Sequence, residues 1–364
     1  MKNTFGTSVA VTLFGESHGK AIGAVLDGMA PGIPVDEEFL AAQMCRRLGP
    51  SALSTARREP DRVTILSGVY DGRTTGTPIT FLIENTDTKS GDYEAMRHLP
   101  RPGHADYTAL CKYHGFADPR GGGHFSGRIT AGLVAAGAVA LSALAGRGIR
   151  IGTHIASCAE IKDRPFGELD RDIALLRDAE LGVLDPTAAD AMYRAIEEAR
   201  AAGDSLGGVL ETAVLGMPAG VGEPWFDTVE SILSHILFAI PAVKGVEFGD
   251  GFALAEMRGS EANDPFRMKN GQVVTESNRA GGILGGITSG MPLLIRTAVK
   301  PTPSIAREQR TVDLASGADV PLSIVGRHDP AIVHRARTVV DSAVALALCD
   351  LLALRYGTDY LGPK

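Results

Sequence analysis

The sequence predicts a chain that mixes helices with strands, with one domain as the default although 364 residues would allow two. Three observations predict it. Apolar–polar alternation of period two, bounded by glycines, recurs along the chain, first in residues 8–14 ahead of Gly15. Apolar residues at helical spacing follow N-cap signals, as after Asp36 and Asp227. No composition break or repeat marks a linker in 364 residues, and 44% hydrophobic content is enough for a sizeable core.

Residues 8–14 read as the first strand and 21–26 as the second, joined by Gly15-Glu16-Ser17-His18-Gly19. The flanking glycines let this turn bend tightly and approach a ligand closely. Asp36 can N-cap a helix to about Leu48, with Glu37 and Glu38 in its first turn and Arg46 and Arg47 in its last. Residues 63–69 and 77–83 read as hairpin arms around 71–76. Residues 84–120 show no clean period, and so long a connection is as a rule functional or disordered. Gly121-Gly122-Gly123 lead into residues 129–145, the most apolar stretch, which is short for a membrane span and reads as a buried central helix.

Residues 149–161 read as strand and 162–185 as a charged, exposed excursion. Residues 187–202 form an amphipathic helix with Met192, Ile196 and Ala199 on one face. Residues 207–216 are strand-like, and Asp227 can cap a helix that buries Val229, Ile232, Leu233, Ile236 and Leu237. Residues 281–299 read as a strand pair hinged at Ser289-Gly290. The last helix takes Asp329 as N-cap, Pro330 as its first residue and Gly357 as its stop.

A formal net charge of -7 argues against a general nucleic-acid binder. The charge is uneven: between Arg46 and Arg128, ten Arg and two Lys outnumber nine Asp and Glu. A locally basic segment in an acidic protein suits an anionic small molecule, although a solvated basic face is the common alternative. Cys45, Cys111, Cys158 and Cys349 are scattered without CxxC spacing, as reduced structural thiols are. The first residues carry no apolar secretion signal, so a soluble, cytoplasmic protein without membrane contact is expected.

Four stretches could carry chemistry. Gly15–Gly19 matches the G-x-S-x-G pattern of a nucleophile elbow, but no helical pattern follows, and Ser17 and His18 are adjacent, a poor nucleophile–base pair. His98, His104, Cys111 and His114 are metal-ligand types at spacings that fit no standard zinc pattern. The triple glycine before a helix frees backbone N–H groups at its positive end, an anion site in principle but neither a P-loop nor a dinucleotide fingerprint. Gly326-Arg327-His328-Asp329-Pro330 reads as a helix cap with a neighbouring cation.

With these stretches in hand, the chain resembles the chorismate synthases nearly end to end. The resemblance rests on Gly15–Gly19 leading to Asp27-Gly28, on Arg101-Pro102-Gly103-His104-Ala105-Asp106-Tyr107-Thr108 and on Gly326–Pro330. Between them stand Arg57-Arg58-Glu59-Pro60-Asp61, Ile83-Glu84-Asn85-Thr86-Asp87, Ala242–Glu247, Ala280–Gly286 and Lys300-Pro301-Thr302. It implies an α+β fold with helices sandwiched between antiparallel sheets, one catalytic domain over residues 1–364, and a homotetramer. It implies a lyase that turns 5-enolpyruvylshikimate 3-phosphate into chorismate and phosphate by anti-1,4-elimination. This is the last common step toward the aromatic amino acids. The family needs reduced FMN, with NADPH entering only where flavin reduction is intrinsic.

By position, the resemblance implies that Arg47, Arg101, Arg128 and Arg327 bind the anionic substrate, for which planar guanidinium forks are suited. It pairs His104 with the leaving phosphate, His18 with the reduced flavin, and Asp329 with removal of the C6 proton by way of flavin N5. Ser17 and Ser126 orient substrate or flavin by hydrogen bonds. The flavin contacts fall on His124, Phe125, Ser126, Gly285, Lys300, Pro301, Thr302, Pro303, Ser304 and Arg327.

Three departures stand out. His124-Phe125 replace the Arg-Ser that commonly follows the triple glycine; an Arg often found near Ala52 or Leu53 is missing; and Asp341 stands in place of Glu. Two other readings remain at this stage. One is a flavin- or phosphate-binding protein without lyase activity, and the other is a metal hydrolase using His98, His104 and His114.

Overall fold

The structure, a computed structural model, describes residues 2–50, 53, 61–86, 98–324 and 329–363. Two antiparallel five-stranded sheets enclose a pair of buried helices. The first sheet is built from β1 (Thr4–Phe5), β2 (Ala10–Gly15), β3 (Ala21–Asp27), β4 (Val63–Ser67) and β5 (Ile79–Glu84), in the order β1-β2-β3-β5-β4. The second is built from β6 (Arg150–Cys158), β7 (Ile161–Lys162), β8 (Gly208–Leu215), β9 (Val243–Phe248) and β10 (Leu293–Val299), in the order β9-β10-β8-β6-β7. The longer helices among the described residues are α1 (Glu37–Leu48), α2 (Asp106–Tyr113), α3 (Thr130–Ala145), α4 (Leu169–Asp178), α5 (Pro186–Ala201), α6 (Val229–Leu237) and α7 (Val333–Tyr356). This is the single-domain, layered α+β architecture that the resemblance implies.

Helix α3 packs on the first sheet and on α7, which in turn packs on the second sheet. Both helices are buried on nearly every side; α3 is predominantly apolar, while α7 also carries buried polar groups such as Arg337, Asp341 and Asp350. The glycines that interrupt α3 have a packing reason. A Cβ at Gly137 would lie 2.2 Å from Ser342 Cβ on α7, and one at Gly132 would lie 2.6 Å from the Gly23 carbonyl oxygen of β3. Residues 127–145 are long and apolar enough to cross a membrane, contrary to the sequence reading, but 83% of that segment is buried inside the fold. Its apolarity therefore serves the core.

Polar ties fix the layers. Asp350 on α7 is buried, and its carboxylate accepts hydrogen bonds from the backbone N–H groups of Thr7, Ser8 and Val9 at 2.7–3.1 Å. Asp341, the residue standing in place of Glu, accepts from Thr153 Oγ1 at 2.6 Å, which links α7 to β6.

Several elements differ from their sequence reading. The α6 cap is Thr228, whose hydroxyl accepts from Ser231 N at 3.0 Å; Asp227 takes a left-handed φ of +59° and turns the chain one residue earlier. Residues 281–299 are not one strand pair. Ile283–Leu284 and Ile287–Thr288 form a short ribbon, while β10 lies between β8 and β9 and gains ladders on both edges. The excursion 162–185 contains α4, which buries Ile173 and Leu176 one turn apart against β6. Asp329 and Pro330 do not begin α7. Leu206 N donates to the Pro330 carbonyl at 2.7 Å and Leu206 bridges Ala331, so the chain stays extended there and the helix starts at Val333.

Candidate active site

The site forms where the turn after β2, the triple-glycine segment, the C-terminus of α1 and the loop before α2 converge. Ser17 and His18 are buried in the β2–β3 turn. That turn is clamped to the triple glycine: Ser17 N donates to the Gly123 carbonyl at 3.1 Å, and His124 Nδ1 donates to the Gly15 carbonyl at 2.8 Å. His124, one of the departures, thus spends one ring nitrogen on tethering the two loops. Gly121, Gly122 and Gly123 all have positive φ, a conformation that L side chains rarely adopt. A Cβ at Gly121 would lie 2.5 Å from His18 Cδ2, and one at Gly122 3.2 Å from His104 Nε2. The glycines therefore let both imidazoles close on the backbone. Ser126 caps the turn entering α3 by accepting from Arg128 N at 3.3 Å. Phe125 sets its ring edge-on to Tyr113 with centroids 6.0 Å apart.

Two of the arginines assigned to substrate share one buried carboxylate. Arg47, at the end of α1, and Arg128, before α3, both pair with Asp61. Arg128 Nε also donates to Asn85 Oδ1 at 2.9 Å, and Arg47 to Thr130 Oγ1 at 3.3 Å. Burial alone would raise the Asp61 pKa, but Arg47 and Arg128 outweigh it and hold the carboxyl below its ordinary value. Burial pulls the Arg47 pKa down despite Asp61, with Arg335 and Arg128 adding to the effect. A buried cation so placed favours a second anion, because its own positive charge is only partly offset.

Arg101 and His104 are organised by Asp106 in the first turn of α2. Its carboxylate accepts from Arg101 Nε and Nη2, both at 2.8 Å, and lies 2.6 Å from His104 Nδ1. Lys300, just after β10, donates to the Gly103 carbonyl and sits over the same loop. Asp329 pairs with Arg335 on the first turn of α7, and Arg335 Nε donates to the Arg47 carbonyl at 3.3 Å. The helix-cap role read for Asp329 gives way to this ion pair.

The arginines, His104, Lys300 and Asp329 line a cavity of about 1000 Å³. Its walls carry seven Lys and Arg residues (Lys2, Arg47, Arg101, Arg128, Lys244, Lys300 and Arg335) against one carboxylate, Asp329, among the described residues. Asp61 and Asp106 stand behind the arginines. His104, His124, Phe125, Ser126, Thr302, Pro303 and Ser304 line it as well. Ser17 is fully buried, and its Oγ has no hydrogen-bond partner among the described residues; Gly121 lies against it at 3.0 Å from the ideal Cβ position.

Not every assigned residue reaches the cavity. Ser17 and His18, buried behind Gly121, are not among its lining residues, and neither are Gly285, in the turn of the Ile283–Thr288 ribbon, and Pro301. Arg327, with Gly326 and His328, lies outside the described residues, as do residues 57–60 and Ala52. No three His, Cys, Asp or Glu side chains gather as a cation site among the described residues, so His98, His104 and His114 do not form the triad a metal hydrolase needs. Sequence reasoning did not single out Asp61, Asp106, Asn85 and Arg335. Asp61, Asn85 and Asp106 lay inside quoted stretches, and for the two acids a carboxylate amid arginines was the available signal.

Comparison with known proteins agrees with this picture. The family described as chorismate synthase matches residues 9–353. The chain is 49% identical over 350 residues to the chorismate synthase of Thermococcus kodakarensis, covering 96% of this chain and 97% of that protein. It is 49% identical over 358 residues to that of Aeropyrum pernix, covering 97% and 93%, and 45% identical over 363 residues to that of Methanosarcina acetivorans, covering 100% and 98%. A crystal structure of chorismate synthase superposes with a TM-score of 0.75 at 28% identity, covering 98% of this chain and 94% of that one. The fold, the cation-lined cavity and a match over nearly the whole chain agree, and the protein belongs to the chorismate synthase family.

Proposed function

We propose that the cavity takes 5-enolpyruvylshikimate 3-phosphate and eliminates its phosphate in the anti-1,4 sense to give chorismate. The observation that carries this reading is the excess of seven cations over one carboxylate, among the described residues, on the walls of a roughly 1000 Å³ cavity. A substrate with two carboxylates and a phosphate matches that field, and guanidinium forks bind such groups bidentately.

Phosphate leaves more readily when a proton or fixed cations offset its developing charge. Arg47, Arg128 and Arg101 supply fixed charge, each already oriented by a carboxylate, so little reorganisation is needed on binding. His104 faces the same space beside Arg101 and serves the leaving phosphate. Asp329, held by Arg335, is the only carboxylate on the wall among the described residues and suits proton removal.

The residues present also fit reduced FMN. Lys300, Thr302, Pro303, Ser304 and Phe125 give the cavity cationic, hydroxyl and aromatic character, and the buried Ser17 hydroxyl beside Gly121 has no hydrogen-bond partner among the described residues. When bound, reduced FMN supplies electron density to the elimination without net redox change. His18, against the Gly121 turn, serves that group. The same reading carries a cytoplasmic homotetramer, with NADPH needed only if the protein reduces its own flavin.

The test is an anaerobic assay with photoreduced FMN and 5-enolpyruvylshikimate 3-phosphate. Stoichiometric phosphate release with chorismate absorbance supports the reading. Flavin binding without turnover would leave a binding protein in its place.

A further inference from the structure

We propose that Asp106 is the positioning residue for His104, fixing its ring with the proton on Nδ1 and Nε2 turned toward Gly122. The inference rests on the reading above that His104 serves the leaving phosphate. His104 Nδ1 lies 2.6 Å from Asp106 Oδ1 and 3.1 Å from Arg101 Nη2. Those two contacts make opposite demands. A guanidinium can only donate, so it would want a bare Nδ1; a carboxylate can only accept, so it needs Nδ1–H. The shorter contact decides. At 2.6 Å two bare acceptors would repel, and one proton must lie between them.

That proton stays on nitrogen. Burial alone would raise the Asp106 pKa, but hydrogen bonds from Arg101 and His104 outweigh it and hold the carboxyl well below the ordinary carboxylate range. The carboxylate is itself fixed. It accepts from the Arg101 backbone N–H at 2.9 Å and from two guanidinium nitrogens at 2.8 Å, and it sits in the first turn of α2, where the helix favours negative charge. The ring cannot turn over without breaking this contact, so Nε2 remains toward Gly122, 3.2 Å from where a Cβ would stand. Charged and titratable groups near His104 include Arg101 and Asp106 from its own loop, Lys300 from the segment after β10, and His18 across the glycine turn. Asp106 is the anion in this set, and its removal would leave the imidazole among cations.

The test is nitrogen-15 NMR of histidine-labelled protein, with His104→Ala used to assign the resonance. In the unmutated protein at a pH where His104 is neutral, Nδ1 should carry the proton; an Nε2–H form there overturns the proposal without any variant. In Asp106→Asn, whose side-chain amide can also donate to Nδ1, the Nδ1–H signature should give way to a mixture of tautomers. Turnover there should fall at least about tenfold, with FMN affinity unchanged. Asp106→Glu should recover part of both. An Nδ1–H form that persists unchanged in Asp106→Asn means that Asp106 only braces the loop. Normal turnover in His104→Ala would instead remove the reading of His104 itself, whichever tautomer the spectra show.

Discussion

His18 and His104 abut the same two-glycine turn: an ideal Cβ at Gly121 would lie 2.6 Å from His18 Nε2, and one at Gly122 would lie 3.2 Å from His104 Nε2. The two imidazoles come from loops 86 positions apart in the sequence and meet on backbone that only glycine can supply.

Gly121→Ala should therefore injure the site more than the fold. The new methyl group needs both an unfavourable φ of +60° and a displacement of His18. Turnover should fall by about 100-fold, the scale of a 1 Å misplacement in an oriented site. Far-ultraviolet circular dichroism should be unchanged. Wild-type turnover in this variant would show that His18 can move without consequence.

Asp61→Asn should destabilise the protein by about 3–5 kcal/mol, the usual cost of stranding a buried charge, because Arg47 and Arg128 both lose their counter-charge. Urea unfolding at neutral pH measures it. The pH dependence has a definite sign. Asp61 is held below its ordinary value when folded, with burial opposing and the two arginines prevailing. Its contribution is full above about pH 3.9, the unfolded value, and is lost as pH falls through the lower folded pKa. The gap between wild type and variant should narrow only in acid.

His154 makes the opposite prediction. Its ring is buried between Asp163 at 2.8 Å and Glu211 at 2.9 Å. Burial lowers its pKa, but the two carboxylates outweigh that and raise it overall. The stabilisation is full below about pH 6.5, the unfolded value, and drains away as pH rises through the higher folded pKa. In thermal melts across the neutral-to-alkaline range, wild type should lose its advantage over His154→Gln as pH increases. A constant difference would mean that the ring is neutral in the fold.

Gly137→Ala should lower the melting temperature. The substitution favours an isolated helix by about 1 kcal/mol. Here, however, the methyl group would stand 2.2 Å from Ser342 Cβ, inside a crossing of two buried helices. Overpacking of that kind costs about 1–3 kcal/mol, so a net loss is expected. Gly259→Ala, whose Cβ meets open space, is the control.

Much of this molecule could be read from its sequence, for local reasons. Asp36 followed by two acids specified α1, and the Asp36 carboxylate does accept from Glu38 N and Phe39 N. Residues 63–67 and 79–84 carried enough alternation to specify β4 and β5. The apolarity of α3 said that it is buried on all sides. His18, His104, Arg47, Arg101 and Arg128 stood in stretches dense in glycine and charge, where a short-range pattern can be noticed.

What tertiary structure decided was partnership. An Asp-Pro pair looks like a helix start, but Leu206 holds that backbone extended and Arg335 takes the carboxylate. Residues 293–299 look like half of a hairpin with their neighbours, yet a central strand gains two ladders by inserting between β8 and β9. Asp61 and Asp106 are unremarkable as letters; they matter because folding buries them against Arg47, Arg128, Arg101 and His104. Period and capping act over a few residues and are written in the chain. The strength of a charge–charge contact depends on distance and burial, which exist only once distant segments have packed.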